Sequence, residues 1–503
     1  MTELTSLDRR IAAYLAGPDH KELEPLFALL SSHTATGHVC LDLAKAGPEA
    51  MAVAHKLKES PSVGVPGEFK PVIIDKQRLY FYRYYQYEQT LAAFIKKNSL
   101  TVITGGPGTG KTTGVAKTLL AMREKDPAIR IALAAPTGKG ASRLQEAVQK
   151  TLPGLQASTI HRLLKPKYDT GIFTHNAENP LPADVVVVDE ASMVDIALMV
   201  KLIEALLPQT RLVLLGDKDQ LASVEAGSVL ADICATNADW ITRLETSYRF
   251  SPDSGIGYVS KLVNAGNTAD TLPYLALKND MAIAFTEIQT PGWFKNYIRD
   301  ALIAGYAEYF KAVNALAYSQ TDSVKLFSLF GRFRVLCALK KGPYGEQTIN
   351  ALAREILVSR SGSGETQYCG RPIIITKNDY NLKLFNGDIG LILPDPNNPG
   401  RLSCCFLLPG NTIRRIAPGR LPEHETVFAM TVHKSQGSEF DKVMLVLSDT
   451  PSPVITRELI YTGITRARTR VAIVASDTVL ETGITTRTIR DSGLREALAL
   501  IGR

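Results

Sequence analysis

Leu100-Thr101-Val102-Ile103-Thr104-Gly105-Gly106-Pro107-Gly108-Thr109-Gly110-Lys111-Thr112-Thr113 is the stretch that decides the fold. Leu100 to Ile103 reads as a buried strand, Gly105 to Thr112 fits the phosphate-loop pattern G-x-x-x-x-G-K-[ST], and Thr113 to Met122 reads as a helix carrying Val115, Leu119 and Leu120. Strand, glycine-rich loop and helix is the order that chemistry requires. The glycines let backbone N–H groups turn inward on phosphates, Lys111 reaches the β and γ oxygens, and the Thr112 hydroxyl ligates Mg²⁺. The stretch therefore implies hydrolysis of a nucleoside triphosphate, and the remaining residues must say what that hydrolysis drives.

Working outward, 503 residues with 45% apolar and 21% charged side chains is an ordinary globular composition for several domains. Met1 to Arg10 carries no apolar stretch behind a basic head, and no run approaches the ~18 apolar residues of a membrane span. A cytoplasmic protein without membrane segments is expected. The six cysteines lie far apart or directly adjacent, without the C-x-x-C spacing of a zinc site, and read as reduced and mostly buried. The net charge of +7 points only weakly to a polyanionic partner, but its distribution is informative. Residues 1–88 hold ten basic and eleven acidic side chains, so a nucleic-acid surface belongs after residue 88.

Residues 1–88 alternate helical patterns with breaks at Gly17-Pro18, Gly47-Pro48 and Pro61 to Gly67, and read as a small helical docking domain. The aromatic run from Leu79 to Tyr87 reads as ring packing at a domain junction, with a platform for stacking bases as the alternative. From 89 onward, strands at 100–104, 129–135, 184–188 and 210–215 alternate with helices, the pattern of a parallel, doubly wound α/β sheet. Strands return at Phe333 to Leu339, Lys442 to Leu447 and Arg470 to Ala475, which predicts a second α/β domain. The expected division is 1–88, 89–290 and 291–503. A small β barrel is expected at about 370–425, where turn signals recur at Asn386-Gly387-Asp388, Asn397 to Gly400 and Pro409-Gly410-Asn411.

Val185-Val186-Val187-Val188-Asp189-Glu190 is a buried parallel strand ending in two carboxylates, at the edge where ligands sit in such sheets. A lone acid pair could simply cap the next helix. Beside a phosphate loop, Asp189 is placed to hold the Mg²⁺ shell and Glu190 to orient and deprotonate the attacking water. Leu212 to Leu215 ends in Gly216-Asp217-Lys218-Asp219-Gln220, which brings the Gln220 amide to the same edge as a γ-phosphate sensor. Arg249, in Ser247-Tyr248-Arg249-Phe250, and Arg466, in Thr465-Arg466-Ala467-Arg468, are candidates for stabilising transferring phosphoryl charge.

Together these blocks resemble the superfamily 1 helicases, with Ala135 to Ala141, Ser158 to Arg162, Gly216 to Gly227 and Thr431 to Phe440 following in helicase order. Within that superfamily the set, including Gly37-His38-Val39-Cys40-Leu41, is similar to the RecD family, the smaller motor subunits of RecBCD (exodeoxyribonuclease V) complexes. The resemblance implies two RecA-like motor domains, an N-terminal domain and an SH3-like barrel insertion. It implies ATP and Mg²⁺ as cofactors, with Gly105 to Thr113 as the nucleotide cradle and Thr112 and Asp189 at the metal. Lys111, Glu190, Gln220, Arg249 and Arg466 take the catalytic roles, and Gln89 reads the adenine, with Gln86 nearby. Pro136, Thr137, Ser158, His161, Ser223, Thr431, His433 and Ser435 correspond to positions lining a single-strand DNA channel. RecB-like and RecC-like subunits are the implied partners, and homologous-recombination DNA repair the implied process. Leu221-Ala222-Ser223-Val224 lacks the aromatics that 3′ to 5′ members carry after the glutamine, so 5′ to 3′ movement is expected. Gln145 to Ser158 is short where stand-alone relatives insert a strand-splitting hairpin, which argues against unwinding by the chain alone. A non-motor scaffold or a phosphate-loop kinase would need neither the arginine blocks nor Thr431 to Phe440.

Overall fold

Val185, Val186, Val187 and Val188 are all buried, yet they serve different cores. Val186 and Val188 pack with Val102, Met199, Ile203, Leu212 and Leu214, whereas Val185 and Val187 pack with Val115, Leu119, Leu133 and Leu215. Successive side chains of a strand point to opposite faces, so a strand covered by helices on both sides is apolar throughout. Its sheet is wholly parallel and runs, edge to edge, Ile241–Leu244, Leu100–Gly105, Arg211–Gly216, Val185–Val188, Ile131–Ala135, Ala157–Thr159. The strands Ile241–Leu244 and Ala157–Thr159 are too short and too little buried to stand out as apolar runs in the sequence.

This computed structural model describes residues 4–97, 99–167, 172–251, 254–277, 280–315, 320–361, 368–379, 381–398 and 400–499. The chain divides into two units, one of Met1–Pro136, Ala141–Thr246 and Ile489–Arg503, the other of Thr137–Gly140 and Ser247–Thr488. The boundary expected at 290/291 thus falls inside the second unit, because Ile283–Glu287 pairs in parallel with Ala467–Ala475 of that unit's own sheet. Residues 489–499, expected in the second motor domain, return to the first unit.

Residues 4–88 belong to the first unit and are not purely helical. The helices Ser6–Ala16 and Glu24–Ala35 pack over a four-stranded sheet ordered Leu41–Asp42, Arg78–Phe81, Val72–Asp75, Val63–Gly64, around Leu26, Phe27, Leu30, Leu57 and Leu79. These strands are only two to four residues long, too short for a period of two to show in sequence. The aromatic run splits between the strand Arg78–Phe81 and the helix Tyr82–Lys97, with Tyr80 and Tyr85 buried edge to face at 5.6 Å. This is ring packing, not a base platform.

The second unit has its own parallel sheet, ordered Ile283–Glu287, Ala467–Ala475, Phe440–Val446, Phe333–Cys337, Ala429–Thr431. Beside it Tyr306, Tyr309, Phe310, Phe330 and Phe428 form an aromatic core. The buried Arg334 guanidinium lies 3.9 Å from the Phe330 ring centre and 5.0 Å from that of Phe440, where the negative ring faces offset part of the cost of burying its charge. The insertion is a five-stranded antiparallel sheet, Thr412–Ile416, Leu402–Leu408, Ile389–Pro394, Arg371–Ile375, His424–Thr426. Its end strands are not paired with each other among the described residues, so it is an open sheet where a closed barrel was expected. No described helix is long and apolar enough to cross a membrane.

Candidate active site

Because the first sheet is parallel, the C-terminal ends of Leu100–Gly105, Arg211–Gly216 and Val185–Val188 lie side by side at one edge. The phosphate loop, Asp217 to Gln220, and Asp189-Glu190 leave those ends in turn. Gly108 and Gly110 have φ of 77° and 79°, the left-handed region where a side chain would be strained, so the loop's tight turn depends on glycine there. A Cβ on Gly105 would come within 2.5 Å of the Leu244 carbonyl oxygen, so the loop also starts where only glycine fits.

Lys111 Nζ donates to the carbonyls of Gly105 at 2.5 Å and Gly106 at 3.0 Å, which keeps its charge at the mouth of the loop. Thr112 Oγ1 donates to Asp189 Oδ2 at 3.0 Å, and Asp189 Oδ1 accepts from the Glu190 amide at 2.8 Å. Desolvation first, and the Glu190 charge second, push the Asp189 carboxyl above the usual range. Glu190 itself sits at φ 54°, a left-handed conformation uncommon for a non-glycine residue. The hydroxyl and carboxylate oxygens of Thr112 and Asp189 are hard donors in contact, a set that suits Mg²⁺. Gln220 Nε2 donates to Asp217 Oδ2 at 3.0 Å, and both residues are buried. Gln89 is exposed on the helix Tyr82–Lys97, beside the buried Glu88.

In the second unit Arg249 Nη2 donates to Glu439 Oε1 at 2.6 Å, while its buried Nη1 has no hydrogen-bond partner among the described residues. Glu439 also accepts from Arg468 Nε at 3.3 Å. Arg466 is buried, donating to the carbonyls of Thr462 at 3.2 Å and Ser438 at 3.3 Å. Glu439 was missed as a partner because a carboxylate inside a helicase block carries no sign of which arginine it holds.

The residues expected along the single strand fall into two groups. Pro136, Thr137, Ser158, Thr431 and His433 are half-buried and His161 is exposed. Thr137 Oγ1 accepts from the Gly140 amide at 3.0 Å, Ser158 Oγ donates to the Thr159 carbonyl at 3.3 Å, and His161 lies 5.8 Å from the Phe173 ring. Ser223 and Ser435, by contrast, are buried and cannot offer their hydroxyls to a strand at the surface. Ser435 Oγ donates to the Val432 carbonyl at 2.7 Å, and Ser223 Oγ to that of Glu225 at 3.0 Å; both hydroxyls brace turns. The Thr431 to Ser435 turn is held by the buried Glu346, which accepts from the Thr431 amide at 2.8 Å and Lys434 Nζ at 2.7 Å. Nothing in the sequence marks that glutamate, 85 positions from Thr431.

The six cysteines are free, and all but Cys369 are buried. His33, His38 and Asp491 bring donor atoms within 4.8 Å of one another, but Lys45 Nζ lies 2.5 Å from Asp491 Oδ1 and the Asp491 amide donates to His38 Nδ1 at 3.0 Å. Lys45 and His38 thus occupy Asp491, while His33 Nδ1 is buried with no hydrogen-bond partner among the described residues.

Three family descriptions match the chain: "AAA domain" over residues 89–226, "UvrD-like helicase C-terminal domain" over 426–474, and "RecBCD enzyme subunit RecD, N-terminal domain" over 2–54. The "RecBCD enzyme subunit RecD" of Mycolicibacterium smegmatis is 40% identical over 444 residues, covering 82% of this chain and 75% of that one. The chain belongs to the RecD family. The Haemophilus influenzae RecD subunit is 35% identical, covering 82% of this chain and 72% of its own length. The "ATP-dependent RecD2 DNA helicase" of Deinococcus radiodurans is 33% identical over 376 residues, 74% of this chain and 46% of that one. This RecD-family chain is accordingly an ATP-dependent helicase of superfamily 1, with the phosphate loop and acid pair in the part matching the AAA domain and Arg466 in the part matching the helicase C-terminal domain.

Proposed function

We propose that this chain is the 5′ to 3′ DNA motor subunit of a helicase–nuclease that processes double-strand ends in recombinational repair, in the cytoplasm and together with RecB-like and RecC-like subunits. The observation that carries the motor is the Thr112–Asp189 contact at 3.0 Å beside Lys111, in a chain that resembles RecD subunits over 82% of its length. Thr112 and Asp189 would hold Mg²⁺, which supplies charge neutralisation at the β and γ phosphates. Glu190 orients and deprotonates the attacking water, Gln220 senses the γ-phosphate, and Arg249 and Arg466 stabilise charge spread over the γ oxygens. Gln89 reads the adenine. Pro136, Thr137, Ser158, His161, Thr431 and His433 hold a single strand without reading its sequence. Direction rests on Leu221 to Val224 having no aromatic side chain.

A stand-alone helicase is the competing reading, because the RecD2 relative is a match as well. Gln145 favours the subunit. Its amide donates to the Leu155 carbonyl at 2.6 Å and accepts from the Ala157 amide at 2.5 Å, clasping a short turn where stand-alone relatives insert a hairpin. The nuclease activity of the complex falls to a partner. Isolation of the native protein tests this: two further large subunits should co-purify with it, whereas a lone chain that unwinds duplex DNA by itself would overturn the assignment.

A further inference from the structure

Arg490 lies two residues beyond Thr488, the last residue of the second unit, and its side chain is built into the first unit. Its guanidinium is wrapped by one loop. Nη1 donates to the carbonyls of Glu225 at 2.7 Å and Gly227 at 2.8 Å and reaches Ser223 Oγ at 3.4 Å, while Nη2 donates to the Ser223 carbonyl at 2.5 Å. Three carbonyls that no strand ladder engages thus converge on one planar fork, a geometry that arginine satisfies and lysine cannot. The fork lies flat against Gly37, where a Cβ would come within 2.9 Å of Arg490 Cζ, and the Gly37 carbonyl in turn accepts from the Gly227 amide at 2.9 Å. The backbone beside it is fixed too, since the Asp491 carbonyl accepts from the Val39 amide at 2.9 Å.

The wrapped loop is the continuation of Gln220. Between Gln220 and Ser223 there are only two residues, and the next, Val224, is 72% exposed at the loop's tip. We infer that Arg490 is a positioning residue of the motor: it fixes the loop Ser223–Gly227 so that Gln220 holds its place at the strand ends of the nucleotide site. The inference rests on the motor reading above for the role of Gln220, and on the three carbonyl contacts for that of Arg490.

Arg490→Lys and Arg490→Ala in the full chain test it, with ATP hydrolysis measured with and without single-stranded DNA alongside thermal unfolding. Misplacing a group at a reacting centre costs rate far more than binding. The Ala variant should lose about 10-fold in kcat and the Lys variant about 3-fold, both with KM for ATP within about 2-fold of the parent and with the drop present even without DNA. The Lys variant keeps charge and stem but cannot reach all three carbonyls, so its unfolding temperature should fall by less than that of the Ala variant, and kcat is compared at a temperature where both variants are fully folded. Parental kcat in a folded Lys variant, or losses in kcat that merely follow the folded fraction, would overturn the positioning role. A parent chain that hydrolyses ATP without DNA stimulation would overturn the motor reading instead, while the DNA-free kcat still reports on Arg490.

Discussion

Thr112 and Asp189 stand 77 positions apart and share a hydrogen bond of 3.0 Å, because two strands of one parallel sheet deliver them to the same edge. Lys111 supplies charge there without filling a core. Lys111→Gln should therefore abolish DNA-stimulated hydrolysis while leaving circular dichroism and single-strand binding near those of the parent, and full turnover in that variant would remove Lys111 from the site. The two arginines should behave differently. Replacing either Arg249 or Arg466 by Ala should lower kcat by ~10³ with little change in nucleotide affinity. Arg466 is also buried against two carbonyls, so Arg466→Ala should cost about 1–3 kcal/mol of stability as well, seen as a shifted denaturation midpoint. Arg249 pairs through a single nitrogen with Glu439, and its replacement should leave that midpoint nearly unmoved. An unchanged kcat in either variant would exclude that arginine from the γ-phosphate.

The helix Tyr82–Lys97 is anchored by Glu88, which accepts from Ser492 Oγ at 2.7 Å and from the Gly493 amide at 2.9 Å. Desolvation outweighs those bonds and pushes its carboxyl up to about 7. An acid raised on folding favours the folded state in its neutral form, so its contribution is full below its unfolded value of about 4.5 and is lost as pH rises through about 7. Glu88→Gln, always neutral, should be more stable than the parent by up to about 3 kcal/mol at pH 8 and equal to it near pH 4.5. Equal stability of the two proteins at pH 8 would contradict the buried, raised carboxyl. Glu88 also shows where sequence reading stops. The strands around Val102, Val187, Leu214, Val335, Leu445 and Ile473 were legible because parallel strands buried on both faces are continuous apolar runs. The acid pair and glutamine followed from the strand ends. The short strands of residues 41–81, Ile241–Leu244 and Ala429–Thr431 left no periodic trace. Glu346, Glu439 and Arg490 were illegible for another reason: each acts through a contact made by the fold, and a single charged residue does not announce its partner. Ser223 and Ser435 meet the same limit, because a hydroxyl in a helicase block looks the same in sequence whether it faces a phosphate or braces a turn.

At the scale of the chain, residues 4–88 are tied to the motor more closely than a detachable docking domain would be. Lys45 and His38 bind Asp491, Gly37 backs Arg490, and Arg78 pairs with Glu496, its Nη1 donating at 2.7 Å to Oε2. Deleting residues 1–71 would also strip the sheet around Arg78–Phe81. Such a truncation should lower thermal stability and ATP turnover together, besides preventing association with partner subunits. Full turnover in the truncated chain would restore the picture of an independent docking domain. In the proposed function, ATP hydrolysis in this chain drives movement along single-stranded DNA from 5′ to 3′. The direct measurement is displacement of streptavidin from oligonucleotides biotinylated at one end or the other, with Lys111→Gln as the inactive control. ATP-dependent displacement from the 3′ end, with none by the control, is the expected result. Displacement from the 5′ end only, or hydrolysis stimulated by DNA with no displacement from either end, would contradict it.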